Sequence, residues 1–388
     1  GSVAKLRLAL LLTALGLALP AAAAARVPQG FIGMNVDGPL LTGQVNLDAQ
    51  LGVMARGGVE SVRVPFYWSQ AQPVSSFIYI DPADAPRYAN VNGIPTNWGP
   101  TDQIVGLAAK HRISVLPNVQ QAPGWASRHP GNPASPPLGT APYANFLTAL
   151  VQRYGPKGRF WKANPNLPKL PIRDWQIWNE PDSTKYWSDQ PWVTDYTALL
   201  KASHRALKKA DSGSRAVLAG FPSRSWVSLA RLYAAGARRY FDVAAVHPFS
   251  LPVANIPRIL VQDRRVMTRY HDDKKPFFIT ETSWPSAKGK TSTKYGFEVT
   301  QAGQAAKAKK VLKTLAKVRT LLNVERVYWY SWISLDTSTD APFDYAGLQR
   351  LMPNGALVRK PAFSAFTGTA LKLEGCRSKT SSATSCRR

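Results

Sequence analysis

The sequence predicts an α/β fold, a single (β/α)8 TIM barrel without an appended β-sandwich domain. Three observations predict it. Short β-branched or aromatic runs alternate with helical patterns from one end of the chain to the other, as in parallel strands joined by helical crossovers. Eight such pairs occupy about 345 residues, the count of a (β/α)8 barrel. Three long segments rich in Pro, Gly, Asp and aromatics follow the second, third and eighth strands, so all leave the same barrel face.

The first expected strand, Phe31 to Val36, precedes a helical pattern near residues 48–57. The second, Ser61 to Phe66, opens the long segment Trp68 to Pro100 before a helical pattern near 101–111. The third, Ile113 to Val119, leads through Gln120 to Thr140 into a pattern near 142–154. The fourth, Arg173 to Trp178, is followed by a helix near 192–210, and the fifth, Ala216 to Gly220, by one near 225–239. The sixth, Val243 to His247, precedes 256–271, and the seventh, Phe277 to Glu281, precedes 301–320. The eighth, Arg326 to Trp332, passes through Ser334 to Arg359 to a last helix near 361–372, after which the chain nearly ends. No linker-like stretch divides residues 26–372, and residues 373–388 form a basic, Cys-containing tail.

The first 25 residues read as an export signal, with Lys5 and Arg7 ahead of an apolar run from Leu8 to Leu19 and small residues from Ala21 to Ala25. Gly1-Ser2 read as an artificial remnant in place of a start methionine. The apolar run is too short to span a bilayer comfortably, and no later segment has the ~20 apolar residues a membrane helix needs. A secreted monomer is expected. Cys376 and Cys386 stand alone in the tail and are expected to pair in an oxidising compartment.

The net charge is +26, or +24 without Lys5 and Arg7. Its densest run, Lys307, Lys309, Lys310, Lys313, Lys317 and Arg319, interleaves with Val311, Leu312, Leu315 and Val318 at helical spacing. That is the solvated face of an amphipathic helix. The excess leaves open attraction to an anionic cell-wall polymer or acidic polysaccharide, whereas export and the lack of a recognised motif argue against nucleic acid.

Chemistry concentrates at two strand ends. Glu180 lies in WQIWNEPD after the fourth strand, and Glu281 lies in FFITETSW at the seventh. Hydrolysis of a glycosidic bond needs one carboxyl to protonate the leaving oxygen and a second to attack or to activate water. Two glutamates at the mouths of non-adjacent strands can supply both. Asn179 can donate to a sugar hydroxyl, and Pro181 fixes the backbone after the acid. Trp175 reads as core, Trp178 fits either role, and Trp284 reads as a ring against sugar C–H surface.

These motifs resemble the clan A retaining glycoside hydrolases, family 39 and its secreted relatives in particular. SVRVPFYWS, VHPF, YWYSW, YAGL and RKPAFSAF extend the resemblance over most of the chain. It implies double displacement through a covalent glycosyl-enzyme, with Glu180 as acid/base and Glu281 as nucleophile. Arg63 matches an arginine that serves the nucleophile, and His247 a histidine beside the sugar or nucleophile. Asn118 and Trp332 complete the candidate substrate-binding set with Asn179, Arg63, His247 and Trp284. Where many relatives carry a tyrosine, Phe249 lacks the hydroxyl, and Tyr328 or Tyr330 is expected to supply it. The expected partner is a polysaccharide or oligosaccharide. The alternative is a catalytically silent barrel that binds glycan or cell wall.

No cofactor and no metal are expected. Gly289-Lys290-Thr291 lacks the first glycine of a phosphate-binding loop, and the five histidines have no ligand spacing. Asp336, Asp340 and Asp344 lack an EF-hand pattern and read as solvated loop carboxylates.

Overall fold

The computed structural model describes residues 26–376 and residue 386. The expected export signal and most of the tail lie outside them. Cys376 and Cys386 form the expected disulfide, with Cα atoms 5.1 Å apart.

The barrel strands are β1 (Ile32–Asn35), β2 (Ser61–Tyr67), β3 (Ser114–Gln120), β4 (Asp174–Ile177), β5 (Arg215–Val217), β6 (Ala244–His247), β7 (Phe277–Thr282) and β8 (Val324–Trp329). All pair in parallel, in chain order, and β8 returns to β1. The fifth stave is interrupted: it resumes at Phe221–Pro222 against β6, and a bridge from Val217 to Val243 closes the ring. The interruption replaces the expected continuous strand to Gly220. Gly220 has φ +81°, and a Cβ there would stand 2.2 Å from the His247 ring, so only glycine fits beside that histidine.

The helices are α1 (Leu47–Arg56), α2 (Gly99–Lys110), α3 (Thr140–Tyr154), α4 (Val193–Ala210), α5 (Ser225–Ala234), α6 (Asn255–Arg269), α7 (Gln301–Leu322) and α8 (Pro361–Leu373). Sequence sets their ends locally. Asn46 caps α1 by accepting from Ala49 N–H, Thr300 caps α7 by accepting from Gly303 N–H, and prolines stand in the first turns of α2 and α8. Lys309, Lys310, Lys313 and Lys317 face solvent on α7, as their spacing predicts. No described helix is long and apolar enough to cross a membrane.

Strands β1 and β6 are buried at every residue, which suits staves covered by helices outside and side chains inside. Tyr328 fills the lower interior, lying over Gly33, where a Cβ would approach its ring to 2.5 Å, and bonding Ser61 through its hydroxyl at 2.8 Å. This places Tyr328 below the site and removes it as a substitute for the hydroxyl missing at Phe249. Above it the interior turns polar, with Asn35, Arg63, Gln176 and Thr280.

Two of the long loops carry structure of their own. A hairpin, Ala89–Val91 with Ile94–Thr96, stands after β2. After β8, Ile333–Ser334, Gln349–Leu351 and Leu357–Arg359 form a small sheet. Asp336 departs from the expected solvated carboxylate: it is buried with Lys360, Nζ to Oδ2 3.2 Å. Lys360 also donates to Ser286 Oγ and the Tyr345 carbonyl, which fastens this loop to the one after β7. Burial pulls the ammonium down to about 8 despite Asp336.

Candidate active site

Alternation along β2 directs Arg63 into the polar interior. It is 5% exposed and donates four hydrogen bonds. Nε reaches Gln176 Oε1 at 2.6 Å, Nη2 reaches Asn179 Oδ1 at 2.6 Å, and Nη1 reaches both Asn35 Oδ1 at 2.9 Å and Glu281 Oε1 at 2.8 Å. The guanidinium fork thereby joins β1, β2, β4 and β7 at one point. Asn35 passes the constraint on, donating to the carbonyls of Thr280 and Trp329.

Beyond β4 the backbone turns sharply, with left-handed φ at Trp178 (66°) and Glu180 (37°). Such conformations persist where surrounding contacts over-determine them. Here Trp178 donates its main-chain N–H to Val119 and its indole N–H to the Tyr186 carbonyl, while its own carbonyl accepts from Asn118 Nδ2 at 2.5 Å. The turn presents Glu180 to the cleft.

His247, 0% exposed at the end of β6, meets Glu180 Oε1 through Nδ1 at 2.6 Å and Thr280 Oγ1 through Nε2 at 2.8 Å. A carboxylate only accepts, which places the imidazole proton on Nδ1. Thr280 Oγ1 also accepts from Gln176 Nε2, which ties the histidine to β4. His247 Nδ1 also lies 3.8 Å from Glu281 Oε2. The histidine therefore holds Glu180 from behind, and its burial keeps it from a sugar, which corrects half of the expected role.

One oxygen each of Glu180 and Glu281 and a ring nitrogen of His247 lie within 4.8 Å of one another. Among the described residues they are the one group with metal-ligand geometry. The set suits a cation poorly. Arg63 already places a positive charge on Glu281, and both ring nitrogens of His247 are engaged.

The cleft around the two glutamates encloses about 680 Å³. One side is polar, with Asn35, Arg63, Asn118, Gln120 and Asn179. The Asn179 amide oxygen is taken by Arg63, which leaves its NH2 for a ligand, and Asn118 bonds backbone and Gln120. The facing side is aromatic. Phe249 and Phe297 stack at 5.2 Å, Phe343 packs on both, and Tyr295, half exposed, closes against Phe297 and Phe343.

Three phenols complete the mouth. Burial, then Asp37, pushes Tyr67 up to about 12. Burial also raises Tyr186 and Tyr330, helped at both by the negative charges of Glu281 and Asp37. All three remain neutral O–H donors in ordinary buffers. Tyr330 donates to Asp37 Oδ2 at 2.9 Å, so the expected replacement for the missing hydroxyl lies in the cleft without bonding Glu281.

Two expected sugar contacts are displaced. Trp284 is 0% exposed, its indole N–H on the Leu251 carbonyl and its ring beside Trp329. Trp332 is equally buried, donating to Gln50 and packing on Phe363. Neither lines the cleft; both belong to the buried core beside it. The rings that do line it are Tyr67 at the end of β2 and Phe and Tyr residues on separate loops. The family resemblance pointed to Phe249 and Tyr330 among them, and alternation along SVRVPFY, which sets Tyr67 on the Arg63 face, could have found a third.

No protein-family model and no curated protein matches the chain. Solved structures do share its fold. A family 39 glycoside hydrolase from the gut symbiont Bacteroides cellulosilyticus superposes with a TM-score of 0.61 at 18% identity, over 89% of this chain and 64% of that one. A family 39 β-xylosidase from Caulobacter crescentus gives 0.58 at 18% identity, over 89% and 72%. A family 51 α-L-arabinofuranosidase from Bifidobacterium longum gives 0.61 at 14% identity, over 90% and 75%. The chain thus spans less than two thirds of the first of these proteins and about three quarters of the other two.

Proposed function

We propose that the chain is a secreted retaining glycoside hydrolase acting on a polysaccharide or oligosaccharide, with Glu281 as nucleophile and Glu180 as acid/base. The observation that carries this reading is the approach of the two carboxyl oxygens to within 4.8 Å across the barrel mouth. Retaining enzymes hold their carboxyl groups about 5–5.5 Å apart and inverting ones about 6.5–9.5 Å, and one oxygen of each lying this close fits the shorter separation better. The likeness to family 39 and family 51 folds supports the same chemistry.

The partners distribute the roles. Glu281, clamped at Oε1 by a guanidinium, is fixed in the orientation an attacking carboxylate needs. Glu180, held at Oε1 by His247 Nδ1, offers its other oxygen to the leaving group. In the first step Glu281 attacks the anomeric carbon while Glu180 protonates the departing oxygen. In the second, Glu180 takes a proton from water, which displaces Glu281 and frees the sugar. The aromatic side of the cleft suits sugar C–H faces and the polar side suits hydroxyls.

A screen of β-linked and arabinose-containing glycans, read by product mass, tests the reading. Glu180→Gln and Glu281→Gln should each cut turnover on any glycan found by orders of magnitude. An unchanged rate in either variant sinks the assignment, and binding without product from every glycan favours a silent glycan-binding barrel.

A further inference from the structure

Between α5 and α6, on the outside of the barrel, runs a groove of about 630 Å³. Helical spacing builds its walls: Trp226 and Ala230 stand four apart on α5, and Arg265 and Arg269 four apart on α6. Arg231, Arg265 and Arg269 on its lining are exposed. Among the described residues no carboxylate lines the groove, and none pairs with these three arginines. The one acid on the two helices, Asp263, is fully buried and accepts from Ser225 Oγ. Asp272, after α6, is held by Lys275 at 2.6 Å.

Shared walls connect this groove to the catalytic cleft. The break in the fifth stave carries the chain outward at Phe221–Pro222, and Ser183, Pro222 and Ser223 line both the cleft and a depression of about 310 Å³ at the start of α5. Val227 in turn lines both the depression and the groove. Exposed Arg224 stands on the way. The carboxyl of the depression, Asp182, is half-buried and accepts from Ser228 Oγ at 2.7 Å.

We propose that this track seats an acidic polysaccharide, whose stretch beyond the cleaved bond lies in the α5–α6 groove with carboxylate or sulfate groups on Arg231, Arg265 and Arg269. The inference rests on the glycoside hydrolase reading and narrows its substrate to a polyanionic glycan. Three features select the ligand. Guanidinium forks match planar oxyanions two bonds at a time, and four unpaired arginines along one path call for several negative charges on one molecule. Trp226 and Tyr270, both partly exposed on the lining, set ring surface for sugar C–H faces beside those charges. The shared walls suit an elongated ligand that is already held in the cleft, whereas a small free anion needs no such path.

Two measurements decide it. Biolayer interferometry at physiological salt, on immobilised polygalacturonate, dextran sulfate, dextran and poly-dT, compares the wild type with two double variants. Arg265→Glu with Arg269→Glu alters the groove; Lys309→Glu with Lys313→Glu makes an equal charge change on the exposed face of α7. The wild type should bind polygalacturonate or dextran sulfate but not dextran, and the tighter of the two acids tells carboxylate from sulfate. The α6 pair should weaken that binding by about tenfold, as for the loss of two exposed ion pairs, and the α7 pair by no more than about twofold. No binding to either acid, equal weakening by both pairs, or tighter binding of poly-dT overturns the inference and leaves the glycosidase reading intact. On a cleaved polymer from the glycan screen, the α6 pair should raise KM by a similar factor and leave turnover of a short oligosaccharide of the same glycan unchanged; an unaltered KM on the polymer also overturns it. Should the screen yield no cleaved glycan, the glycosidase reading fails and the binding comparison alone decides the groove.

Discussion

Replacing Arg63 by methionine removes the one cation bonded to Glu281 among the described residues and the donors to three amide oxygens, of Asn35, Gln176 and Asn179. Truncating one partner of a buried ion pair costs about 3–5 kcal/mol. Glu281 keeps 14% of its side chain exposed, so the lower end, ~3 kcal/mol, applies. If that loss falls on the reacting geometry, it corresponds to roughly a hundredfold in rate. Arg63→Lys retains the charge but offers one nitrogen where three now serve four acceptors, so it should fall between wild type and Arg63→Met. The assay is kcat/KM on an aryl glycoside of the sugar identified by the screen, alongside urea denaturation of each variant. A folded Arg63→Met enzyme within about threefold of the wild-type kcat/KM would refute the reasoning, since the clamp would then be dispensable.

Further expectations concern the parts around that clamp. Gly220→Ala should lower both stability and kcat, because the new Cβ meets His247 Nε2 at 2.2 Å and φ is +81°; a wild-type melting curve and rate would contradict the packing. Tyr295→Ala should raise KM for oligosaccharides by roughly 2- to 12-fold, the worth of one aromatic contact at about 0.5–1.5 kcal/mol, with kcat nearly unchanged. Asp263, buried between α6 and Ser225 of α5, has its carboxyl pushed up to about 8 by burial, against which the Ser225 hydroxyl and Arg264 act. The folded state therefore keeps a proton that the unfolded chain loses near pH 4, so this contribution to stability is full below pH 4 and is lost as pH rises to about 8. Asp263→Asn should flatten the dependence of Tm on pH between 4 and 8, whereas an unaltered slope would show that Asp263 ionises freely.

The barrel was legible because period-two runs and helical periods alternate eight times, and buried staves tolerate little but apolar residues. Its irregularities were not. The break at Gly220 depends on a histidine 27 residues away, and the small sheet after β8 is a tertiary pairing of segments that read as loop. Glu180, Glu281 and Asn179 could be found because each sits at or just beyond a strand end, and Arg63, inside β2, because it matches the family pattern. Trp284 and Trp332 misled because a tryptophan beside a catalytic motif packs into the core as readily as against a ligand. Phe249 stood out only for the hydroxyl it lacks, and Tyr295, Phe297 and Phe343 escaped notice because three loops, from β6, β7 and β8, must fold before these rings become one surface.

The central claim is that Glu180 and Glu281 work as a retaining pair, and NMR of the anomeric proton in the first-formed product tests it most directly. Spectra recorded before mutarotation should show the product sugar with the configuration of the substrate bond. A first-formed product of opposite configuration would contradict the double displacement and the roles given to both glutamates.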